Sequence, residues 1–218
     1  MYYIKKKMCR KIVLFLSLVF FVSAQLKAEV GTSFKYNGYL GGMMIHSGYL
    51  SSDEFDIFDS NNQIVGRKKI EACPVGIGGV FKVFIGENFR MGFDGGITML
   101  KLDDYGSSST IGFGGILVGA NLNFKKFSPF FETALHFGTL KNTILLDSPK
   151  DDFIVEKNVL IKNTKYRSLV PSIGLEYGAS EKIRLLLKSD YIIPLSEKDA
   201  DFVTGVRIYL GILFTHLK

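Results

Sequence analysis

Charged residues recur inside the apolar stretches of this 218-residue chain, and they are the side chains most able to do chemistry: Lys35, Lys82, Arg90, Asp94, Glu132, Glu176, Arg184, Lys188, Asp190 and Arg207. From Phe89 to Met99 the apolar residues alternate with small or polar ones that include Arg90 and Asp94. A period of two places the two sets on opposite faces of a β-strand. Glu132 and Glu176 could act as paired acid and base. Because six of the ten charges are positive and four negative, mutual pairing in a closed interior is the favoured interpretation.

Histidine and serine positions offer little support for a catalytic or metal site. His136 is expected to face the same interior, while His46 and His216 lie near opposite rims of that interior, so no metal cluster is predicted. His46 and Ser47 are neighbours in the chain, and successive strand residues point to opposite faces. This argues against a shared serine–histidine site. We therefore predict no catalytic, cofactor-binding or metal-binding residues.

Glycine pairs recur in the first half of the chain, at positions 41 and 42, 78 and 79, 95 and 96, and 114 and 115. Each pair places one glycine on either face of a strand, which permits strong bending and close backbone approach. No glycine-rich run both matches the dinucleotide-binding motif and begins a helix, so no phosphate-binding loop is predicted. The pairs are therefore interpreted as structural.

The first residues have the features of a secretory signal peptide. Five positive charges precede an apolar run from Ile12 to Val22, which a small-residue cleavage site at residues 22–24 follows. A membrane-anchoring helix would need about 20 apolar residues, but the run ends at Gln25 and Lys27. The prediction is a leader over residues 1–24, with cleavage after Ala28 as an alternative, and a single domain over residues 29–218.

Removing the leader changes the charge and cysteine balance of the chain. The formal charge falls from +6 to +1, because residues 1–24 carry five positive charges and no negative ones. Nucleic-acid binding, which needs a basic face, loses its support. Cys73 is then the only cysteine, so no intramolecular disulfide is expected.

Eight stretches of alternating residues follow the leader, and each has about the length that a tilted strand needs to cross a membrane. They cover residues 33–45, 75–85, 89–102, 116–124, 131–137, 169–177, 183–191 and 206–215. Long polar connections alternate with short turns along the chain. In an up-and-down barrel this places all short turns at one end and all long loops at the other.

The faces of these strands indicate which side of the barrel meets lipid. A charge at the bilayer centre costs about 2.5–3.5 kcal/mol, so the charged faces should line the interior. The predicted fold is all-β: an eight-stranded antiparallel up-and-down transmembrane β-barrel preceded by a signal peptide. Eight strands leave an interior that side chains fill, which predicts a plugged polar lumen. A soluble lipocalin-like carrier would have the opposite arrangement, with an apolar interior.

This layout resembles the small eight-stranded outer-membrane barrels, such as the transmembrane domain of outer-membrane protein A and the OmpX and opacity-like proteins. The resemblance covers the mature chain and implies an outer-membrane location, contact with outer-membrane lipid, and handling by periplasmic chaperones and the barrel-assembly machinery. Glu132, Glu176, Arg184 and Lys188 resemble the family's internal salt-bridge network by position only. The chain ends at Lys218 rather than on an aromatic residue, so an altered insertion signal is expected, and a peptidoglycan-binding domain after the last strand is not expected.

The expected function is that of a non-enzymatic, porin-like surface barrel. Its loops 47–67 and 140–166 would present adhesion or host-ligand contacts, since loops carry contacts while the barrel is scaffold. The basic run from Arg67 to Lys69 could touch lipid phosphates or an acidic partner, or be a solvated charge run. Two alternatives stay open: an outer-membrane lipid-modifying enzyme and a soluble lipocalin-like carrier.

Overall fold

The computed structural model describes residues 36–58, 63–86, 88–102, 106–122, 126–145, 159–195 and 202–217. These residues form eleven β-strands: β1 (Tyr36–Ser51), β2 (Phe55–Phe58), β3 (Ile64–Lys68), β4 (Glu71–Ala72), β5 (Val75–Ile85), β6 (Phe89–Lys101), β7 (Ser108–Asn121), β8 (Phe127–Leu145), β9 (Val159–Gly178), β10 (Ile183–Pro194) and β11 (Thr204–Leu217). None of the described residues forms a helix long and apolar enough to cross a membrane. The predicted leader and Lys35 lie outside the described residues.

Eight of these strands form a closed antiparallel barrel. Strands β5 to β11 each pair with the next along the chain, and β1 pairs with β5 on one side and β11 on the other. The closing ladder between β1 and β11 runs unbroken from Gly38, opposite Leu217, to Ser51, opposite Thr204. The predicted eight-stranded up-and-down barrel is therefore confirmed. Strand β4 pairs with the end of β1, and β2 and β3 form a separate hairpin in the first long connection.

Burial alternates along every barrel strand and separates the two faces. On β6, Arg90 and Asp94 are buried, whereas Phe93 between them is 62% exposed. The same order holds on β10, where Lys188 is buried and Leu187 exposed. Apolar side chains therefore cover the outside of the barrel while ionised ones point to its axis, which is the reverse of a soluble carrier.

The glycine pairs allow the strands to coil closely around this narrow interior. A Cβ on Gly115 would lie 2.2 Å from the carbonyl oxygen of Leu135, closer than real Cβ atoms approach backbone. A Cβ on its neighbour Gly114 would lie 3.8 Å from the nearest atom, the carbonyl oxygen of Asp94, which is ordinary contact. Inward glycines are thus needed for close strand approach, whereas this outward one is not.

Substitution of the two neighbouring glycines should separate these roles. We expect Gly115→Ala to lower the free energy of unfolding by about 1–3 kcal/mol, because the β8 backbone must shift. Gly114→Ala should change it by less than about 0.5 kcal/mol, since its Cβ meets nothing closely. Urea titrations followed by circular dichroism measure both. Equal effects at the two positions would contradict the assignment of one glycine to each face.

Several strands extend beyond their predicted bounds. β8 continues to Leu145 and β9 begins at Val159, so much of the predicted loop 140–166 is a paired hairpin. Its outward residues, such as Lys141 and Asn163, are polar because this part extends past the apolar belt, and alternation of apolar residues is lost there. The predicted loop 47–67 is likewise wrong in part, because β1 continues to Ser51 and the β2–β3 hairpin follows. Parts of both predicted loops lie outside the described residues.

Strand β7 also begins earlier than its sequence pattern suggested. It starts at Ser108 rather than near Ile116, and its first half pairs with β6 through Gly112 and Gly114. Small and hydroxyl residues replace apolar ones there, so the period-two signal is weak although the backbone ladder is complete.

Candidate functional site

Four fully buried charged side chains meet across the barrel interior near its short-turn end: Lys82, Arg90, Glu132 and Glu176. We call them the lower ion cluster, since the short turns are taken as the lower end of the barrel. The Lys82 Nζ atom lies 2.6 Å from Glu132 Oε1 and 3.5 Å from Glu176 Oε1. The Arg90 Nε atom lies 2.7 Å from Glu132 Oε1, and its Nη1 donates to Glu176 Oε1 at 2.8 Å. Two cations and two carboxylates therefore neutralise each other in a site that is buried from bulk solvent.

Residues around the lower ion cluster complete its contacts. The partly exposed Arg184 approaches Glu176 at 3.7 Å and donates to the Ser128 hydroxyl at 2.9 Å. The Phe130 ring lies beneath both buried cations, 4.0 Å from Arg90 Cζ and 4.7 Å from Lys82 Nζ. Such cation–π contacts gain strength when the cation is desolvated.

A second set of buried charges, the upper ion cluster, comprises Asp94, His136, Lys188, Asp190 and Arg207. Asp94 accepts from Lys188 Nζ at 3.4 Å and lies 2.8 Å from His136 Nε2. Arg207 donates to both oxygens of Asp190, at 3.0 and 2.9 Å. This bidentate geometry is the strongest form of carboxylate pairing and compensates for part of the desolvation cost.

Aromatic rings pack against the charged groups of the upper ion cluster. The Arg207 guanidinium lies 4.6 Å from the Phe113 ring and 5.4 Å from the Tyr209 ring. Lys188 lies 4.8 Å from Tyr209, and the Phe113 ring stacks on His136 with 4.9 Å between centroids. Aromatic rings therefore contact the buried cations of both clusters.

The structure places His46 and Ser47 on opposite faces of β1. The His46 ring is buried, 2.8 Å from the Thr98 hydroxyl and 4.6 Å from the Tyr209 ring. Ser47 instead donates to the carbonyl of Pro74 at 2.7 Å. The geometry therefore brings no nucleophilic serine to this histidine.

An apolar layer lies at the long-loop end of the barrel interior, and we call it the mouth cluster. It joins strand residues with residues of the long connections: Leu50, Phe55, Ile70, Leu100, Ile111, Phe113, Leu140, Ile144, Tyr166, Ile192, Phe202 and Val203. The Tyr166 and Phe202 rings pack with 4.4 Å between centroids, and Ser52 and Ile70 exchange hydrogen bonds of 2.9 Å. Two connections are thus folded into the mouth of the barrel.

Sequence reasoning missed this layer because the residues that the long connections contribute to it lie in polar segments of the sequence. Phe55 follows Asp53 and Glu54, and Phe202 follows Asp201, so each is a short apolar interruption in a polar loop. The signal that could have found them is the presence of bulky apolar residues at loop positions that have no strand to bury them.

The first long connection also presents a charged hairpin to solvent. In the β2–β3 hairpin, Arg67 Nε donates to Asp56 at 2.8 Å, and Lys69 just beyond it pairs with Glu71. The hydrogen bond and the negative charge of Glu71 raise the pKa of Lys69 above its ordinary value. The predicted basic run thus has acidic partners, and the apolar Phe58 and Ile64 are exposed beside it.

Of the ten charged residues that the sequence singles out, the structure brings eight together inside the barrel. Arg184 lies at the edge of the lower ion cluster with its side chain 13% exposed, and Lys35 lies outside the described residues. Lys82 is diagonal to Asp94 in the β5–β6 register, yet its ammonium contacts Glu132 and Glu176 on the far side of the lumen. Within the described ranges no group of three or more His, Cys, Asp or Glu residues could hold a metal ion.

No protein-family model and no curated protein sequence matches the chain, but solved structures do. Outer membrane protein OprG from Pseudomonas aeruginosa matches with a TM-score of 0.57 and 10% identity, over 85% of this chain and 99% of that one. Neisserial surface protein A matches with a TM-score of 0.50 and 11% identity, over 83% and 97%. The fold is therefore that of the small eight-stranded outer-membrane barrels, as the sequence resemblance predicted.

Proposed function

We propose that this chain is exported by a cleaved leader over residues 1–24 and spans an outer membrane as a barrel. The observation that carries the proposal is the apolar outer surface, which covers all eight barrel strands. Exposed residues on this belt include Met43, Ile45, Val75, Phe93, Ile116, Phe137, Ile173, Leu187 and Ile212. An apolar surface that encircles a protein is far larger than the patches that water-soluble monomers tolerate.

Aromatic residues at both ends of the belt support the same placement. Tyr36, Phe89 and Phe127 are exposed at the short-turn end, and Tyr49 and Tyr191 at the long-loop end. Amphipathic rings favour the two membrane interfaces. Insertion would require periplasmic chaperones and the barrel-assembly machinery, with the long loops outside the cell.

Membrane fractionation tests this proposal directly. The protein should appear in the outer-membrane fraction, resist extraction with carbonate, and migrate differently on gels before and after boiling, because a folded barrel resists detergent. Amino-terminal sequencing of the same material should begin near residue 25 or residue 29. Recovery in the soluble fraction without detergent would favour the lipocalin-like carrier instead.

The interior supports a plugged lumen and a scaffold role. The two ion clusters neutralise their own charges, and the mouth cluster closes the end that carries the long loops. The lipid-modifying alternative would need a serine, a histidine and a carboxylate at one place. His46 contacts Thr98 in the interior, away from the lipid where such an enzyme's substrate lies. We therefore favour a non-enzymatic barrel.

The β2–β3 hairpin is the strongest candidate for contact with a host or other extracellular ligand. Phe58 is 48% exposed and Ile64 is 57% exposed, and they project beside a pair of opposite charges. Exposed apolar residues on a paired, ordered hairpin are typical of recognition surfaces. The protruding end of the β8–β9 hairpin is the second candidate.

Substitution at the hairpin tip tests the recognition role without disturbing the barrel. We expect Phe58→Ser combined with Ile64→Ser to reduce adherence of expressing cells to host cells or matrix by about tenfold, since such contacts dominate binding. Leu195→Ser makes the same kind of change at an exposed position outside both candidate hairpins, and it serves as the control for surface expression. Unchanged adherence in the double variant, with normal expression, would count against this hairpin as the contact.

A further inference from the structure

Three cations lie close together on the outer wall of β8 and β9, near the long-loop rim. Lys141, Lys165 and Arg167 are all exposed and outward-facing. Lys165 lies opposite Thr139, two residues before Lys141 on β8, so the two lysines are diagonal neighbours about 7–8 Å apart. Arg167 follows Lys165 by two residues on the same face. We call these three residues the rim triad.

An apolar surface lies directly below the rim triad. Arg167 is the register partner of Phe137, and its guanidinium lies 6.0 Å from the Phe137 ring. Leu135 and Ile173 continue this exposed apolar surface toward the short turns. A single amphiphilic molecule could therefore contact cations with its head and apolar side chains with its tail.

The height of the rim triad matches that of a membrane surface. Phe127 begins β8 at the short-turn end, and ten residues separate it from Phe137. Ten residues span about 33 Å along a strand, which a tilt of about 40° reduces to about 25 Å, the thickness of the apolar band of such barrels. The rim triad thus lies where the headgroups of the loop-side leaflet begin.

The β8–β9 wall differs in charge from the opposite wall of the barrel. In the described part of the chain no carboxylate pairs with a residue of the rim triad. The opposite wall, made by β1 and β5, presents the uncharged Tyr49 and Val75 at its long-loop rim. The rim triad therefore distinguishes the β8–β9 wall from the wall opposite to it.

We propose that the rim triad binds the phosphate groups of an anionic lipid in the loop-side leaflet, whose acyl chains lie against Phe137, Leu135 and Ile173. Arg167 offers a planar fork that matches phosphate oxygens in pairs, and the two lysines act as point charges on its long-loop side. The proposal rests on the proposed membrane placement, because a lipid reaches this wall only if the barrel is inserted.

Native mass spectrometry of the inserted protein tests the site. The protein is reconstituted in nanodiscs of phosphatidylcholine with a minority of phosphatidic acid. The measured quantity is the ratio of phosphatidic acid to phosphatidylcholine among the lipid molecules that remain bound to the protein. We expect phosphatidic acid to be enriched, and K165Q combined with R167Q to reduce that enrichment about tenfold or more. The matched control, R67Q combined with K69Q, removes two cations whose partners are Asp56 and Glu71, and should leave the enrichment unchanged.

The possible results distinguish a failure of the proposed lipid site from a failure of the proposed membrane placement. A sample that shows no heat-modifiable mobility and no insertion contradicts the proposed function. An inserted sample whose enrichment is equal in the K165Q/R167Q variant and the wild type contradicts only the lipid site. Excess inorganic phosphate should not displace the bound phosphatidic acid, because the acyl contacts hold it; displacement by free phosphate would overturn the lipid assignment in favour of a general anion site.

Discussion

Replacing Glu176 with glutamine is expected to lower the free energy of unfolding of the barrel by about 3–5 kcal/mol. Glu176 is fully buried and lies within 3.7 Å of three cations, Lys82, Arg90 and Arg184. Glutamine preserves the shape but removes the negative charge, so the two cations that cannot reach water are left with a single carboxylate, Glu132. Removal of one member of a buried ion cluster is costly because the remaining charge is unpaired and already desolvated.

The chain contains no tryptophan, so the measurement is a urea titration followed by circular dichroism and by gel mobility. Asp56→Asn is the matched control, because it makes the same carboxylate-to-amide change in the exposed pair with Arg67. Exposed pairs contribute at most about 1 kcal/mol. If Glu176→Gln and Asp56→Asn shift the transition equally, the lower ion cluster does not stabilise the barrel in the way that its geometry indicates.

The sequence pattern was sufficient to predict the barrel because each face of a membrane strand has a single environment. The bounds of β5 agree with the predicted residues 75–85, and those of β6 and β10 agree closely. In these strands apolar residues occupy every second position on the outer face, and polar or small residues face the lumen. In the upper parts of β8 and β9 the outer face includes polar residues such as Lys141 and Asn163, so the pattern ends there and the predicted bounds were wrong.

The partners of the interior charges could not be predicted from sequence in the same way. Register reasoning connects only neighbouring strands, such as β5 and β6, on which Lys82 lies diagonal to Asp94. The structure pairs Lys82 with Glu132 on β8 and Glu176 on β9, strands that are not adjacent to β5 in the barrel. These contacts cross the lumen, and their geometry depends on how the closed sheet coils. The mouth cluster was missed for a related reason, since loop residues reach it only once the barrel has closed.

Replacing Phe93 with arginine is expected to destabilise the membrane-inserted barrel by about 2–4 kcal/mol. Phe93 lies near the middle of β6, is 62% exposed, and pairs in register with Phe81 and Ile116, which are also exposed. The guanidinium would therefore lie near the centre of the apolar belt, where lipid cannot solvate it and both ends of the strand are distant. The arginine side chain can bend toward either headgroup layer, which limits the cost to this range.

Urea titrations in phospholipid vesicles measure the effect, with two variants as controls. Phe93→Leu removes the ring without adding charge and should cost less than about 1 kcal/mol, because the proposed placement puts this side chain against lipid instead of protein. Ile64→Arg adds the same charge at an exposed position of the β2–β3 hairpin and should change stability by less than about 0.5 kcal/mol. A water-soluble barrel would respond in the opposite way, because Phe93→Arg would then replace an exposed apolar ring with a solvated charge and improve solubility without detergent. The direction in which Phe93→Arg changes the stability of the barrel therefore shows whether the outer wall meets lipid or water.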